Sequence, residues 1–205
     1  MLKVIMAGLR RAQTQLAVAG KRRFLTAGDG LHVGRGSRLW APRSLQIGRC
    51  VYIGKHVNIE ANAEIGDYCL IANHVALIGR HDHDFSAVGF PMRFSPWIGS
   101  KKFPSKYVDE KIVIGADTWI GFGAKILTGV VIGKGCVVAA GSIVTKDIPP
   151  YAIAAGTPAR VVGMRFSSLQ EIIQHEQMIS DGLFGFSEKG YDDCVIMPGK
   201  FQAGG

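Results

Sequence analysis

The chain lacks any uninterrupted apolar run of the roughly 18 residues that a membrane span needs. Residues 2–19 do not read as a secretory leader either, because Arg10 and Arg11 break the apolar stretch. Cysteine is sparse. Cys50, Cys69, Cys136 and Cys194 are the four present, and no two stand in a CxxC pair. That argues against a zinc ribbon or a dithiol redox centre and fits a reducing compartment. Acidic residues are few, 16 against 24 basic ones, giving a formal charge of +8. This balance favours anionic ligands or surfaces without naming one. The expected location is cytoplasmic, with a peripheral place at the inner membrane face left open for the basic N-terminal segment.

What is present in abundance is a register of six. Ile47, Ile53, Ile59, Ile65, Ile71 and Leu77 form one run. Ile114, Ile120, Ile126, Ile132, Val138 and Val144 form a second. Glycine follows many of them, and small or aliphatic residues such as Val57, Ala63, Cys69, Ala124, Cys136 and Ser142 stand two positions earlier. Six fits neither the 3.6 of a helix nor the 2.0 of a simple strand. It fits an all-β fold of hexapeptide repeats, a parallel β-helix in which three repeats make one coil of a triangular prism. The repeated aliphatic points inward and stacks on its equivalents one coil away, and stacked coils bury a core that no repeat buries alone.

Three regions follow. Residues 1–30 form an N-terminal helical segment, with Leu2, Ile5, Met6, Leu9, Gln13, Leu16 and Ala17 near helical spacing. Its expected role is to pack on the prism or a neighbouring subunit, with weak membrane-surface contact as the alternative. Residues 31–150 form the β-helix, with an imperfect first coil, a bulge near Ala41-Pro42-Arg43 and a long loop at 79–111. Repeats are expected to end after Val144. Residues 151–205 comprise a final edge, a helix near 168–180 opened by a Ser168/Glu171 capping box, and a tail beyond 183 with no assignable structure.

A long loop leaving a rigid scaffold is a place for function. It starts with Gly79-Arg80-His81-Asp82-His83-Asp84. A histidine there can act as a general base near neutral pH. With His74 nearby, surface histidines or a metal site remain open readings.

The stretches Ile114–Gly123 and Ala139–Pro150, continued by Ala154-Ala155-Gly156-Thr157-Pro158-Ala159-Arg160-Val161-Val162, resemble the bacterial hexapeptide-repeat O-acetyltransferases. That family includes galactoside, maltose and xenobiotic acetyltransferases and enzymes of capsule, colanic acid and O-antigen synthesis. The likeness spans roughly residues 31–165. It implies a left-handed β-helix, a homotrimer with sites between subunits, and acetyl-CoA as co-substrate without a metal. It implies transfer of acetyl to a saccharide hydroxyl, in surface polysaccharide synthesis, with no nucleic acid partner. By the same resemblance His81 is the catalytic base, with His83 its competitor, and the Phe122 amide is the oxyanion donor. Trp119, Ala140, Thr145, Lys146 and Arg160 would contact the coenzyme. Asn58, Asn62 and His83 are the candidate acceptor ligands, with Glu60 beside them. Other readings are an amino-sugar or serine acetyltransferase of the same fold, a γ-carbonic-anhydrase-like metalloenzyme built from His74, His81 and His83, and a silent scaffold.

Overall fold

The computed structural model describes residues 2–182; the tail from 183, including Cys194, lies outside the described residues. The chain winds a parallel, left-handed β-helix of three faces. The first face stacks Leu25–Ala27, Leu45–Ile47, Asn62–Ile65, Lys111–Ile114 and Val131–Ile132. The second stacks His32–Val33, Tyr52–Ile53, Leu70–Ile71, Trp119–Ile120, Val137–Val138 and Ala152–Gly156, and is closed by the antiparallel strand Ala159–Met164. The third stacks Arg38–Trp40, Asn58–Glu60, Ala76–Ile78, Lys125–Leu127 and Ile143–Val144.

All twelve aliphatics of the two runs are buried, eight of them at 0% exposure. Each column is continuous. Ile53 pairs with Ile71, Ile71 with Ile120, and Ile120 with Val138. The residues two positions earlier fill the remaining interior: Val57, Ala63, Cys69, Ala124, Cys136 and Ser142 are all at 1% exposure or less. Burial pushes the Cys69 thiol up to about 12, so it packs as a small neutral group.

Corners join the faces, and they repeat as strictly as the strands. Cys50, His56, Tyr68, His74, Asp117 and Tyr151 all take positive φ there. Each non-glycine residue in that region costs about 1 kcal/mol. Ladder bonds between coils hold them, as where the His74 N–H donates to the Lys55 carbonyl at 2.9 Å.

The 79–111 loop leaves at the third corner and returns without disturbing the stack. Ile65 and Ile114 pair directly although 49 positions apart, where a plain coil needs 18. Within the loop, only the short 3-10 turn Met92–Phe94 is regular. Its aromatics Phe85, Phe90, Phe94, Trp97 and Phe103 are exposed.

Two expectations need correction. The β-helix does not begin at residue 31, because Leu25–Ala27 already pairs with Leu45–Ile47. It does not end after Val144, because Ile148 bridges Ile132 and Ala154 pairs with Val138, each 16 residues on rather than 18. The N-terminal helix α1, Leu2–Val18, lies on the prism through Gln13, Thr14, Ala17 and Val18, while Leu9 and Leu16 are 60% and 77% exposed. Beside the apolar contact of Ala17 and Val18 with the core, part of this contact is polar. Thr14 is buried, its hydroxyl accepts the Val33 N–H at 3.0 Å, and the Gln13 amide donates to the Val33 carbonyl at 2.6 Å.

The C-terminal helix α2, Leu169–Ser180, starts with the Ser168/Glu171 capping box. It seals the other end of the prism through a polar cluster. Asp117 takes the Arg165 guanidinium at 2.5 Å and His175 Nε2 at 2.8 Å. The buried Tyr151 hydroxyl donates to Glu176 at 2.9 Å, and Lys134 pairs with Glu176. Burial, reinforced by the Glu176 carboxylate, pushes that phenol up to about 12.

Candidate functional site

The histidine segment begins where the third face hands over to the loop. Asp82 folds back over Gly79 at this exit, its Oδ1 only 1.6 Å from where a Cβ would stand, so a larger residue there would displace that carboxylate. Arg80 then fastens the segment to the coils above. Its N–H donates to Thr128 Oγ1 at 2.9 Å, and its guanidinium donates to the Thr145 carbonyl at 2.6 Å.

His81 follows, with its side chain 22% exposed. Its ring lies over Tyr107 with centroids 4.1 Å apart. Nδ1 faces the Glu110 carboxylate at 3.3 and 3.4 Å. Glu110 is itself anchored, accepting the Thr128 hydroxyl at 2.8 Å. A carboxylate at Nδ1 selects the tautomer with its proton on that nitrogen and leaves the Nε2 lone pair basic. Nε2 has no hydrogen-bond partner among the described residues. Neither Glu110 nor Thr128 is legible from sequence, because the loop separates Glu110 from His81 by 29 positions.

His83 turns away from this pair. Its Nδ1 lies 3.3 Å from Ser95 Oγ and its ring is near Trp97. Between the two histidines, Asp82 Oδ1 is buried without a partner. Burial, with Glu60 adding to it and His83 opposing, raises the Asp82 carboxyl above its ordinary value.

Asn62, read from sequence as an acceptor ligand, is fully engaged elsewhere. It is 5% exposed. Its Oδ1 accepts the Arg43 and Ser44 N–H groups at 2.8 and 3.0 Å. Its Nδ2 donates to the Val108 and Glu110 carbonyls at 2.8 and 3.1 Å. All four hydrogen-bonding places of the amide are taken, so this residue clamps the returning loop beside Glu110. Asn58 remains exposed on the third face.

The other predicted residues sit elsewhere. Trp119 is half exposed on the second face. Phe122 stands at the second corner, its ring 5.2 Å from that of His74. Other corner amides are capped from the coil above, as where the Lys55 N–H donates to Asn73 Oδ1 and the Arg49 N–H to Asp67 Oδ1. Eighteen residues after Phe122 stands Ala140, which has no side-chain acceptor, and the Phe122 N–H meets no protein acceptor among the described residues. Thr145 and exposed Lys146 lie at the third corner above His81, and Arg160 is exposed on the closing antiparallel strand. One chain thus carries the base at one corner and the free amide, with Trp119, beyond the opposite edge of the third face. That face is three residues wide, roughly 10 Å of strand. His74, at the second corner, stands apart from His81 and His83. Among the described residues no three His, Cys, Asp or Glu side chains converge in a way that could hold a metal ion. No helix there is long and apolar enough to cross a membrane.

Residues 44–79 and 111–146 match the family described as bacterial transferase hexapeptide (six repeats). Galactoside O-acetyltransferase of Escherichia coli is 36% identical over 144 residues, 69% of this chain and 64% of that protein. A probable acetyltransferase of Mycobacterium tuberculosis is 35% identical over 69% of this chain and 44% of its own length. A chloramphenicol acetyltransferase of Morganella morganii is 38% identical over 50% of this chain and 51% of its own. The chain therefore spans about half the length of the curated relatives it matches. Among solved structures, an N-acyltransferase from Bacillus cereus in complex with dTDP and 3-hydroxybutyryl-CoA superimposes with a TM-score of 0.58 at 19% identity, covering 78% of this chain and 80% of that one.

Proposed function

We infer, from this chain's membership of the hexapeptide-repeat transferase family, that it is an acetyl-CoA-dependent O-acetyltransferase acting on a saccharide, with His81 as its base. The observation that carries this reading is the His81–Glu110–Thr128 chain, which fixes Nδ1 and leaves Nε2 basic at the mouth of the loop. A sugar hydroxyl is a weak nucleophile at neutral pH. His81 Nε2 takes its proton as the oxygen attacks the thioester carbonyl. The carbonyl oxygen gains negative charge, which the unpaired Phe122 N–H stabilises. The C–S bond then breaks, and the thiolate leaves as the coenzyme thiol with the proton from the imidazolium. Glu110 is a positioning residue that steadies the imidazolium.

The separation of His81 from Phe122 across the third face supports a site shared between copies of the chain, the second corner of one meeting the third corner of another in a homotrimer. Lys146 and Arg160, both exposed, would hold the coenzyme phosphates. Surface polysaccharide synthesis is the setting that fits a saccharide acceptor.

The test is acetyl-CoA-dependent thiol release across a panel of sugars and amino sugars. His81→Ala abolishes turnover while coenzyme binding persists, and Glu110→Gln lowers kcat and alters its pH profile with little change in KM for acetyl-CoA. Refolding His81→Ala chains together with Trp119→Ala chains restores part of the activity, because mixed interfaces hold one intact site. Normal turnover in His81→Ala would remove the base from this reading, and no rescue in the mixture would remove the shared site.

A further inference from the structure

The crevice around His81 has a larger neighbour among the described residues. A cavity of about 660 Å³ lies next to it, between the third face of the first two coils and the returning loop. That size falls within the range of small-molecule sites. Its chemistry is distinctive. Trp40 and Trp97 line it with their indoles nearly parallel, 21° apart, and centroids 6.5 Å from each other. Arg23, Arg38, Arg43 and Lys101 ring it, against the single carboxylate of Glu60.

The charges are not cancelled internally. Arg38 reaches Glu60 only at 3.5 Å, with its side chain 71% exposed. Arg43 reaches Asp109 at 3.3 Å, with both groups largely in solvent. Exposed pairs of this kind are weak and readily exchanged. The aromatic wall, by contrast, is held in place. Trp97 forms a backbone bridge with His83, and the Ile98 N–H donates to the Asp82 carbonyl at 2.9 Å. Gly99 makes room for the indole, since a Cβ there would lie 2.1 Å from its ring. Pro42, Ile98 and Val108 line both this cavity and the crevice that contains His81.

We propose that this cavity is the seat of the acceptor and that it selects an anionic saccharide. A pyranose presents an apolar C–H face that packs on indole, and guanidinium groups pair with a phosphate or carboxylate bidentately. Glu60 is placed to accept from sugar hydroxyls. A ring held here lies against the Trp97–Ile98 backbone that pairs with the His81–Asp82–His83 segment, with Pro42, Ile98 and Val108 shared between its cavity and the crevice of the base. The inference rests on the acetyl-transfer reading and narrows its substrate class.

The experiment is equilibrium binding to the full chain by calorimetry, without acetyl-CoA, using glucose, glucose 1-phosphate, glucuronic acid and inorganic phosphate. Glucose 1-phosphate or glucuronic acid binds at least about tenfold more tightly than glucose, the scale of one hydrogen bond to a charged group. The better of the two acids identifies the anion as phosphate or carboxylate. Arg38→Ala removes the preference for the acid and leaves glucose unaffected. Trp97→Ala weakens every sugar by about fivefold or more, Trp97→Phe restores part of it, and neither changes binding of inorganic phosphate. Equal affinity for glucose and both acids, no binding by any sugar, or tight binding of inorganic phosphate alone would overturn the proposal. Coenzyme binding measured in the same samples separates that outcome from failure of the transferase reading, which predicts coenzyme binding in every variant.

Discussion

Replacing Asn62 tests whether one buried amide holds the loop to the prism. Asn62→Ala removes four hydrogen bonds at once and leaves two backbone N–H groups and two carbonyls without partners. Each stranded group costs about 1–3 kcal/mol when fully buried. Water can reach part of this corner, since Arg43 is exposed, so the low end applies and the sum is about 4 kcal/mol. In a domain of this size that lowers Tm by roughly 10 °C. Asn62→Asp separates the two halves of the clamp. It keeps the acceptor facing Arg43 and Ser44 but turns a carboxylate oxygen toward the Val108 and Glu110 carbonyls. Repulsion there raises the new carboxyl's folded pKa above its unfolded value. The folded state then binds more protons than the unfolded one, so the Asn62→Asp protein gains stability relative to wild type as pH falls toward about 4. Denaturant titration at neutral and acid pH, with thiol release alongside, measures both effects. Since Glu110 is one of the clamped residues, kcat falls in both variants while coenzyme affinity holds. An Asn62→Ala protein that melts within about 2 °C of wild type, well under the shift worked out here, would refute the clamp.

Asp82→Asn removes a buried, unpartnered carboxylate oxygen. A raised folded pKa means that the ionised form opposes folding, so the variant is more stable than wild type at pH 7. The gain is about 1 kcal/mol, or 2–4 °C in Tm. It shrinks as pH falls through the raised folded pKa and is gone only below the unfolded value of about 3.9, and melting curves across pH 3–8 follow it. Ile120→Ala opens a hole in the middle of a continuous column in which Ile120 is 0% exposed. The expected loss is about 3 kcal/mol by denaturant midpoint, and a loss below about 1 kcal/mol would mean the column collapses to fill it.

The repeat was legible because every sixth residue does the same job. Ile53, Ile71, Ile120 and Val138 share one environment, so one spacing describes them all. The termini were less so. Ile148 and Ala154 stack in register but at spacings of 16, and Leu25–Ala27 enters the first coil from a segment with no hexad pattern. In α1 the spacing located the helix, but Leu9 and Leu16 stand off the prism, and Gln13 and Thr14 meet its edge row of backbone groups with Ala17 and Val18 packed beside them. At the site, the segment around His81 was marked by its place at the loop's start. Glu110 and Thr128 carried no mark, because the loop brings distant positions together without any sequence period. Asn62 looked like an exposed turn residue, and only the returning loop buries it.

The contact between α1 and Val33 has a further consequence. A stack of parallel strands is open at both ends, and an uncovered end is a template on which another strand can grow. Here two side chains imitate the absent neighbour, a hydroxyl oxygen in place of a carbonyl and an amide in place of an N–H. Gln13 and Thr14 thus act as a terminator that makes a finite object of an arrangement able in principle to continue without limit. Loss of that disguise would show as association end to end, in solutions where each prism by itself still folds.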